Sequence, residues 1–393
     1  MLAQKKIKIR MLVNDALLGG AEMMVADVLR SLDSEYFDSE YWYLRDITKT
    51  EEKTPTLRNR FNESDVSLVN LNIQGFVQGI SRIAKRLKSE KVQILHCHLP
   101  DAVIMGGLAA IIVRVPFIIH EHQTHGFHSW KIRFAYRLLR PFATLTICFS
   151  DVVETQEFGS SCVLTTPPNR INRRSYTIPN CIDMKLVSSV QEKTDLVAKR
   201  KELKLEESDV VIVSVARLVP WKGHRLLIEA FSSVARAIPN AKLCIVGGGS
   251  QLEDLQSYVN VLGLQSRVNI FGSRTDIYEI LSISDIFSLV FTYPEGTDGD
   301  AIGIAGFEAM AFGLPIVIGD YRNAEQYIKN GESGVVVPPR NSVLLANALI
   351  YLAADKAARK KIGSRAHEVI EQHLSLSGII PIYETIYQLI NKV

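Results

Sequence analysis

Arg217 and Lys222 flank the turn Ala216-Arg217-Leu218-Val219-Pro220-Trp221-Lys222-Gly223, where an apolar run ends and a helical pattern begins. Two cations beside a helix N-terminus make a pocket for a diphosphate. Arginine bonds phosphate oxygens in pairs, lysine adds a compact charge, and such charge-assisted bonds are roughly twice as strong as neutral ones. A pair of solvated surface charges is the plainer account, but it leaves their placement around a Pro-Trp turn unexplained. Further along, Glu308 stands inside the apolar stretch 302–317. An unpaired buried carboxylate is costly, so Glu308 requires fixed donors. Ribose hydroxyls would serve, and so would a structural salt bridge, which is the better account from that residue alone. Near the N-terminus, Gly19-Gly20-Ala21-Glu22 lets backbone N–H groups approach an anion at a positive helix end, although a plain tight turn has the same pattern.

Other candidate chemistry is weaker. Val246-Gly247-Gly248-Gly249-Ser250 follows an apolar run, but Leu252 occupies the last position of a GxGxxG fingerprint, which counts against a nicotinamide cofactor and a dehydrogenase. His96, His98, His120 and His122 form two HxH pairs at strand ends, a spacing that metal ligands use. No carboxylate set matches them, so ordinary cleft histidines and no metal site are expected. Cys97, Cys148, Cys162, Cys181 and Cys244 are odd in number, scattered and without a CxxC pair, which fits reduced thiols.

Short β-branched runs separated by helical patterns position these residues. Ile7–Val13, Tyr41–Leu44, Val66–Leu71, Val92–His96, Pro116–His120 and Leu145–Phe149 read as one strand series. Val210–Ala216, Lys242–Val246, Val268–Phe271, Ile286–Phe291, Pro315–Ile318 and Gly334–Val337 read as a second. Strand-helix alternation builds parallel sheets, because parallel neighbours need a crossover. The expected class is therefore α/β with two doubly wound Rossmann-like domains facing across a cleft. Residues 1–184 form the first and 185–372 the second, divided after the polar stretch 165–180. Ile379, Ile382, Ile386 and Ile390 mark a last helix over 373–393 that needs a partner surface. In such sheets ligands bind beyond the carboxyl ends of the strands, where Arg217, Lys222 and Gly248 fall.

With 393 residues the chain exceeds what one core usually organises, in keeping with two domains. A net charge of +3 from 45 basic and 42 acidic residues is too mixed for a nucleic-acid binder. Lys5, Lys6, Lys8 and Arg10 interrupt any secretory h-region, and the longest apolar segment, Ala102–Val113, is too short to cross a bilayer, so a cytoplasmic protein is expected. Within 128–145, Lys131, Arg133, Arg137 and Arg140 alternate with Trp130, Ile132, Phe134, Leu138 and Leu139. Such a helix either rests on an anionic membrane at the inner face or packs its apolar side on the core, and the second is expected.

At these residues the sequence resembles the GT-B retaining glycosyltransferases of family 4, the group 1 glycosyl transferases. The ordered motifs are Gly19-Gly20-Ala21-Glu22, His120-Glu121, Ile178-Pro179-Asn180-Cys181-Ile182-Asp183, Arg217 with Lys222, Val246-Gly247-Gly248-Gly249, Gly272-Ser273-Arg274-Thr275-Asp276, and the segment around Glu308. The resemblance implies a hexosyltransferase that takes a sugar from a nucleotide diphosphate donor, with no cofactor and no metal. Arg217 and Lys222 would hold the diphosphate, Glu308 the ribose, and backbone amides at Ile302, Gly303, Ile304 and Gly20 the phosphates. Gly248 and Arg274 would border the base, and His120 would face the transferred sugar. The last helix would cross back to the first domain.

Asp300 stands where the family's first glutamate contacts the sugar ring, one methylene shorter, and a displacement near 1 Å can cost on the order of 100-fold in rate. A local slip in the match would make Asp298 or Glu295 the contact instead. Asp298-Gly299-Asp300 also spells the DxD metal signature of the other large glycosyltransferase fold, discounted because it lies inside a GT-B motif. The resemblance implies a sugar or lipid-linked acceptor, in surface polysaccharide or glycolipid synthesis. Alternatives are a nucleotide-sugar epimerase on the same scaffold and a catalytically silent nucleotide-sugar binding protein.

Overall fold

The computed structural model describes residues 6–16, 19–45, 66–122, 130–293, 302–321 and 324–392. The chain divides into two compact units, Met1–Cys181 with Leu376–Val393, and Ile182–Ser375.

The first unit holds a seven-stranded, wholly parallel sheet in the order β3-β2-β1-β4-β5-β6-β7. Its strands are β1 (Ile7–Val13), β2 (Phe37–Tyr43), β3 (Ser67–Asn70), β4 (Ile94–His98), β5 (Phe117–Glu121), β6 (Leu145–Cys148) and β7 (Ser175–Thr177). Helices cover both faces, so the central strands are apolar on both sides and legible as continuous runs. Ile9, Met11, Val13, Ile94 and Ile118 face one core, and Leu12, Leu95, Cys97, Phe117 and Ile119 face the other. The C-terminal helix Leu376–Asn391 closes the first of these cores with Ile379, Ile382, Tyr383, Ile386, Tyr387 and Ile390.

Three strands depart from the sequence expectation. β2 starts four residues early, because Arg10, buried in β1, bonds the Asp38 carbonyl at 2.8 Å and its carboxylate at 3.1 Å, tying a polar stretch into the ladder. β4 lies two residues later than expected, which brings both His96 and His98 into the strand. β7 has too polar a sequence to be recognised. Its Ser175 and Thr177 hydroxyls donate to the buried Glu154 carboxylate at 2.8 and 2.7 Å, and the neighbouring β6 supplies its pairing.

The second unit holds a six-stranded parallel sheet in the order β10-β9-β8-β11-β12-β13. The strands are β8 (Val210–Val215), β9 (Ala241–Val246), β10 (Val268–Ile270), β11 (Ile286–Leu289), β12 (Ile316–Gly319) and β13 (Val335–Val337). Val211, Val213, Cys244 and Phe287 face one core and Ile212, Leu243, Ile245 and Ile286 the other, the alternation of a sheet covered on both sides.

Candidate active site

In the second unit the chain leaves β8 through Ala216–Val219, forms a 3-10 turn over Pro220–Lys222, and enters the helix His224–Ala237 at Gly223. The neighbouring loops hold this turn. Leu218 N–H donates to the Gly248 carbonyl at 2.8 Å and Gln251 N–H to the Leu218 carbonyl at 3.0 Å. Thr292 N–H donates to the Trp221 carbonyl at 2.8 Å, and the Thr292 hydroxyl to the Pro220 carbonyl at 2.9 Å. Two glycines permit the close approach. A Cβ on Gly247 would lie 1.9 Å from the Ala216 carbonyl oxygen, and one on Gly223, at φ 69°, would lie 1.8 Å from that of Val290. The Gly247–Gly249 run thus lets backbones meet, and a Cβ on Gly248 would lie 2.3 Å from the Ser273 hydroxyl.

Arg217 is exposed, its guanidinium 6.0 Å from the Trp221 ring centre. Lys222 is half-buried, with its ammonium 4.3 Å from the centre of the Phe291 ring. That ring also meets the start of the helix Ile304–Ala311, since a Cβ on its N-cap, Gly303, would lie 3.8 Å from Phe291 Cζ. Its N-cap Gly303 has no side chain to cap it, so the first amides form a positive helix end on the same Phe291 ring as the Lys222 ammonium. Ile302 is buried and Ile304 half-buried. Phe291 was read only as part of a strand. Its place in the site shows up through Lys222, nearly 70 residues earlier in the chain, so no local signal marks it.

Glu308 lies in the same helix between the buried Phe307 and Ala309 and is itself half-buried. Asp300, Asp298 and Glu295 lie outside the described residues. Arg274, expected to border the base, is held by carboxylates. Its guanidinium bonds both Asp276 carboxylate oxygens at 2.7 and 2.6 Å and Glu202 at 2.6 Å, in a network that Lys199 completes. Burial alone would raise the Asp276 carboxyl, but the bonds from Arg274 and Lys199 outweigh it and hold it well below the usual range.

In the first unit, Gly20 opens the helix Gly20–Ser31, but Glu22 in its first turn folds back over that end. A Cβ on Gly19 would lie 2.1 Å from its carboxylate oxygen. A negative group therefore already meets this helix terminus. His120, next to last in β5, lies in a stack of four imidazoles, of which His96, His98 and His120 are buried and His122 half-buried. Its Nδ1 lies 3.3 Å from His96 Nε2, His96 Nδ1 lies 2.8 Å from the Tyr387 hydroxyl, and His98 Nδ1 lies 2.8 Å from His122 Nε2. Burial lowers His96 and His122 to about 3 and holds His98 and His120 well below the ordinary value, so all four rings are neutral at neutral pH. Glu121 points to the opposite face of the sheet. Burial raises it to about 7, and the Arg140 guanidinium, 2.9 Å away, offsets part of the rise.

The helix Trp130–Leu139 buries Tyr136 and Leu139 and leaves an apolar stripe in water, against the expectation that its apolar side packs on the core. Trp130, Phe134 and Leu138, four residues apart, are 67%, 58% and 56% exposed, and Phe142 beyond them 64%. Lys131, Arg133 and Arg137 are exposed beside them, while Arg140 turns inward to Glu121 and Glu157. Residues 128 and 129 lie outside the described residues. No described helix is long and apolar enough to cross a membrane.

The family model for Glycosyltransferase Family 4 matches residues 18–156, and that for Glycosyl transferases group 1 matches residues 197–369. A UDP-Gal:alpha-D-GlcNAc-diphosphoundecaprenol alpha-1,3-galactosyltransferase of Escherichia coli is 28% identical over 299 residues, 73% of each chain. An N-acetyl-alpha-D-glucosaminyl L-malate synthase of Bacillus anthracis is 26% identical over 316 residues, 78% of this chain and 77% of its own. The Anabaena protein Alr3699/HepE, solved in complex with UDP-glucose, superposes with a TM-score of 0.80 at 23% identity, over 98% of this chain and 100% of its own. At that identity the likeness concerns the fold.

Proposed function

Because this chain belongs to the group 1 glycosyltransferases of GT-B fold, which draw on nucleotide sugars, we propose that its second unit grips the donor diphosphate between Arg217, Lys222 and the first amides of the helix Ile304–Ala311. The observation that carries this is the meeting of the Lys222 ammonium and the helix start at Gly303 on the Phe291 ring. Glu308, farther along that helix, accepts from the ribose hydroxyls, and Gly248 borders the base. Arg274, bound to Asp276 and Glu202, braces the neighbouring loop.

Transfer proceeds with retention at the anomeric carbon. The bond from that carbon to the diphosphate oxygen breaks, the acceptor oxygen bonds the same face, and the acceptor proton passes to a departing phosphate oxygen. The two cations and the helix amides are aimed where the leaving charge develops, and losing one such donor typically costs about 10²–10³ in kcat. They neutralise the diphosphate without a metal ion, so donor affinity is the same with Mg2+ and with chelator. UDP-glucose is the first donor to test, by analogy with the Anabaena complex. Screening nucleotide sugars by thermal shift, then identifying products by NMR, tests the assignment. Arg217→Ala and Lys222→Ala abolish the shift and the transfer product, and wild-type behaviour of either refutes it. Donor converted without any acceptor would indicate an epimerase instead, and donor bound but left intact a silent binding protein.

The exposed stripe Trp130, Phe134, Leu138 and Phe142 with Lys131, Arg133 and Arg137 supports peripheral docking on an anionic membrane and a lipid-linked acceptor, the kind named for the Escherichia coli relative. Flotation with phosphatidylglycerol vesicles tests it: the wild type floats and Phe134→Ser with Leu138→Ser stays behind. A wild type that remains wholly in the soluble fraction refutes docking.

A further inference from the structure

β4 and β5 run side by side with His98 paired to His120, and in a strand alternate residues share one face. The sequence His96-Cys97-His98 therefore places two imidazoles on the face that receives His120, and His122 follows just past the end of β5. The ring centres lie 4.2 Å apart for His96 and His98, 5.3 Å for His96 and His120, and 4.9 Å for His98 and His120. One ring nitrogen from each of His96, His98 and His120 lies within 4.8 Å of the other two.

A histidine that serves only to pack satisfies both ring nitrogens or leaves one in water, because an unpartnered buried polar atom costs about 1–3 kcal/mol. Here His98 Nε2 and His120 Nε2 are both buried with no hydrogen-bond partner among the described residues. The remaining contacts have the character of outer supports. His96 Nδ1 meets the Tyr387 hydroxyl and His98 Nδ1 meets His122 Nε2, which fixes the ring orientations as the outer partners of metal-bound histidines do.

We infer that His96, His98 and His120 form a three-imidazole site for a borderline divalent transition ion of the Zn2+ class, with a fourth position for a small exogenous anion such as hydroxide. Neutral imidazole suits such ions, whereas Mg2+ and Ca2+ prefer carboxylate and carbonyl oxygens to the imidazoles gathered here. The nearest carboxylate in sequence, Glu121, points to the other face and is held by Arg140, so the anion at the fourth position supplies the charge that three neutral rings lack. The ion and a sugar contact by His120 exclude each other, and the site is independent of the diphosphate grip in the second unit.

The test uses the untagged full chain, stripped by chelator dialysis and then equilibrated with Zn2+ or Co2+. Elemental analysis is expected to give one tightly held ion per chain, and Co2+ to show the intense visible bands of a tetrahedral nitrogen-rich site. His96→Gln and His98→Gln lower the affinity at least about tenfold, and Tyr387→Phe, which touches no ion, weakens it about 10–100-fold. Exposed His373→Gln changes nothing. No stoichiometric ion, a six-coordinate Co2+ spectrum, or undiminished binding in both ligand variants overturns the inference. The wild-type spectrum decides even where a variant fails to fold, and UDP binding, followed separately, reports on the donor site alone.

Discussion

Gly223 and Gly263 form a matched pair that isolates the contact holding Lys222 in place. Both have left-handed backbones, at φ 69° and 67°, so a Cβ at either costs roughly 1 kcal/mol in backbone strain. Around Gly263 nothing lies within 4 Å, whereas at Gly223 the new carbon would sit 1.8 Å from the Val290 carbonyl oxygen. Real contacts stay at 3.0 Å or more, so the turn must withdraw by at least about 1.2 Å. The bonds from Thr292 to the Trp221 and Pro220 carbonyls span the same junction and stretch with it, each worth about 1 kcal/mol. Gly263→Ala is therefore expected to lose about 1 kcal/mol, and Gly223→Ala about 2–4 kcal/mol. Function separates the two more sharply. Lys222 adjoins Gly223, and a 1 Å misplacement of a positioning group costs on the order of 100-fold in rate. Urea denaturation measures the stabilities, and titration with UDP and UDP-glucose followed by transfer assays measures the site. If Gly223→Ala bound donor and turned over as Gly263→Ala does, the packing of this turn would not be what positions Lys222.

Glu308→Gln keeps the shape of the side chain but removes its charge. Hydrogen bonds to a charged group are worth about 1.5–3 kcal/mol, so UDP affinity measured by calorimetry should fall about tenfold or more, and an unchanged value would remove Glu308 from the ribose site. His224 opens the helix that follows Lys222, and burial lowers it from the ordinary 6.5 to about 4. Because the unfolded chain takes up the proton first, its contribution is fully present above pH 6.5. It is lost at up to about 1.4 kcal/mol per pH unit as pH falls toward 4. Denaturation curves from pH 7 to 4.5 should show this slope and His224→Gln should flatten it, whereas equal slopes would place the acid sensitivity elsewhere.

The sequence alone determined the parts of this protein that local pattern records. Strands covered on both faces are rich in apolar residues, so β1, β6 and β8 to β13 were legible to within two residues at either end. The Ile379–Ile390 stripe likewise announced an amphipathic helix, and Arg217 and Lys222 could be placed at a strand-to-helix turn because such a turn is itself a local feature. Tertiary structure decided what depends on residues far apart in the chain. β7 is a strand because β6 and Glu154 make it one, Arg274 is paired with Asp276 and Glu202, and Phe291 meets Lys222. The four histidines were visible as two short motifs, but only folding could bury His96, His98 and His120 and set His96 against Tyr387, 291 residues later. Periodicity reports how a segment meets water, whereas a side chain's charge and partners depend on which distant segments displace that water.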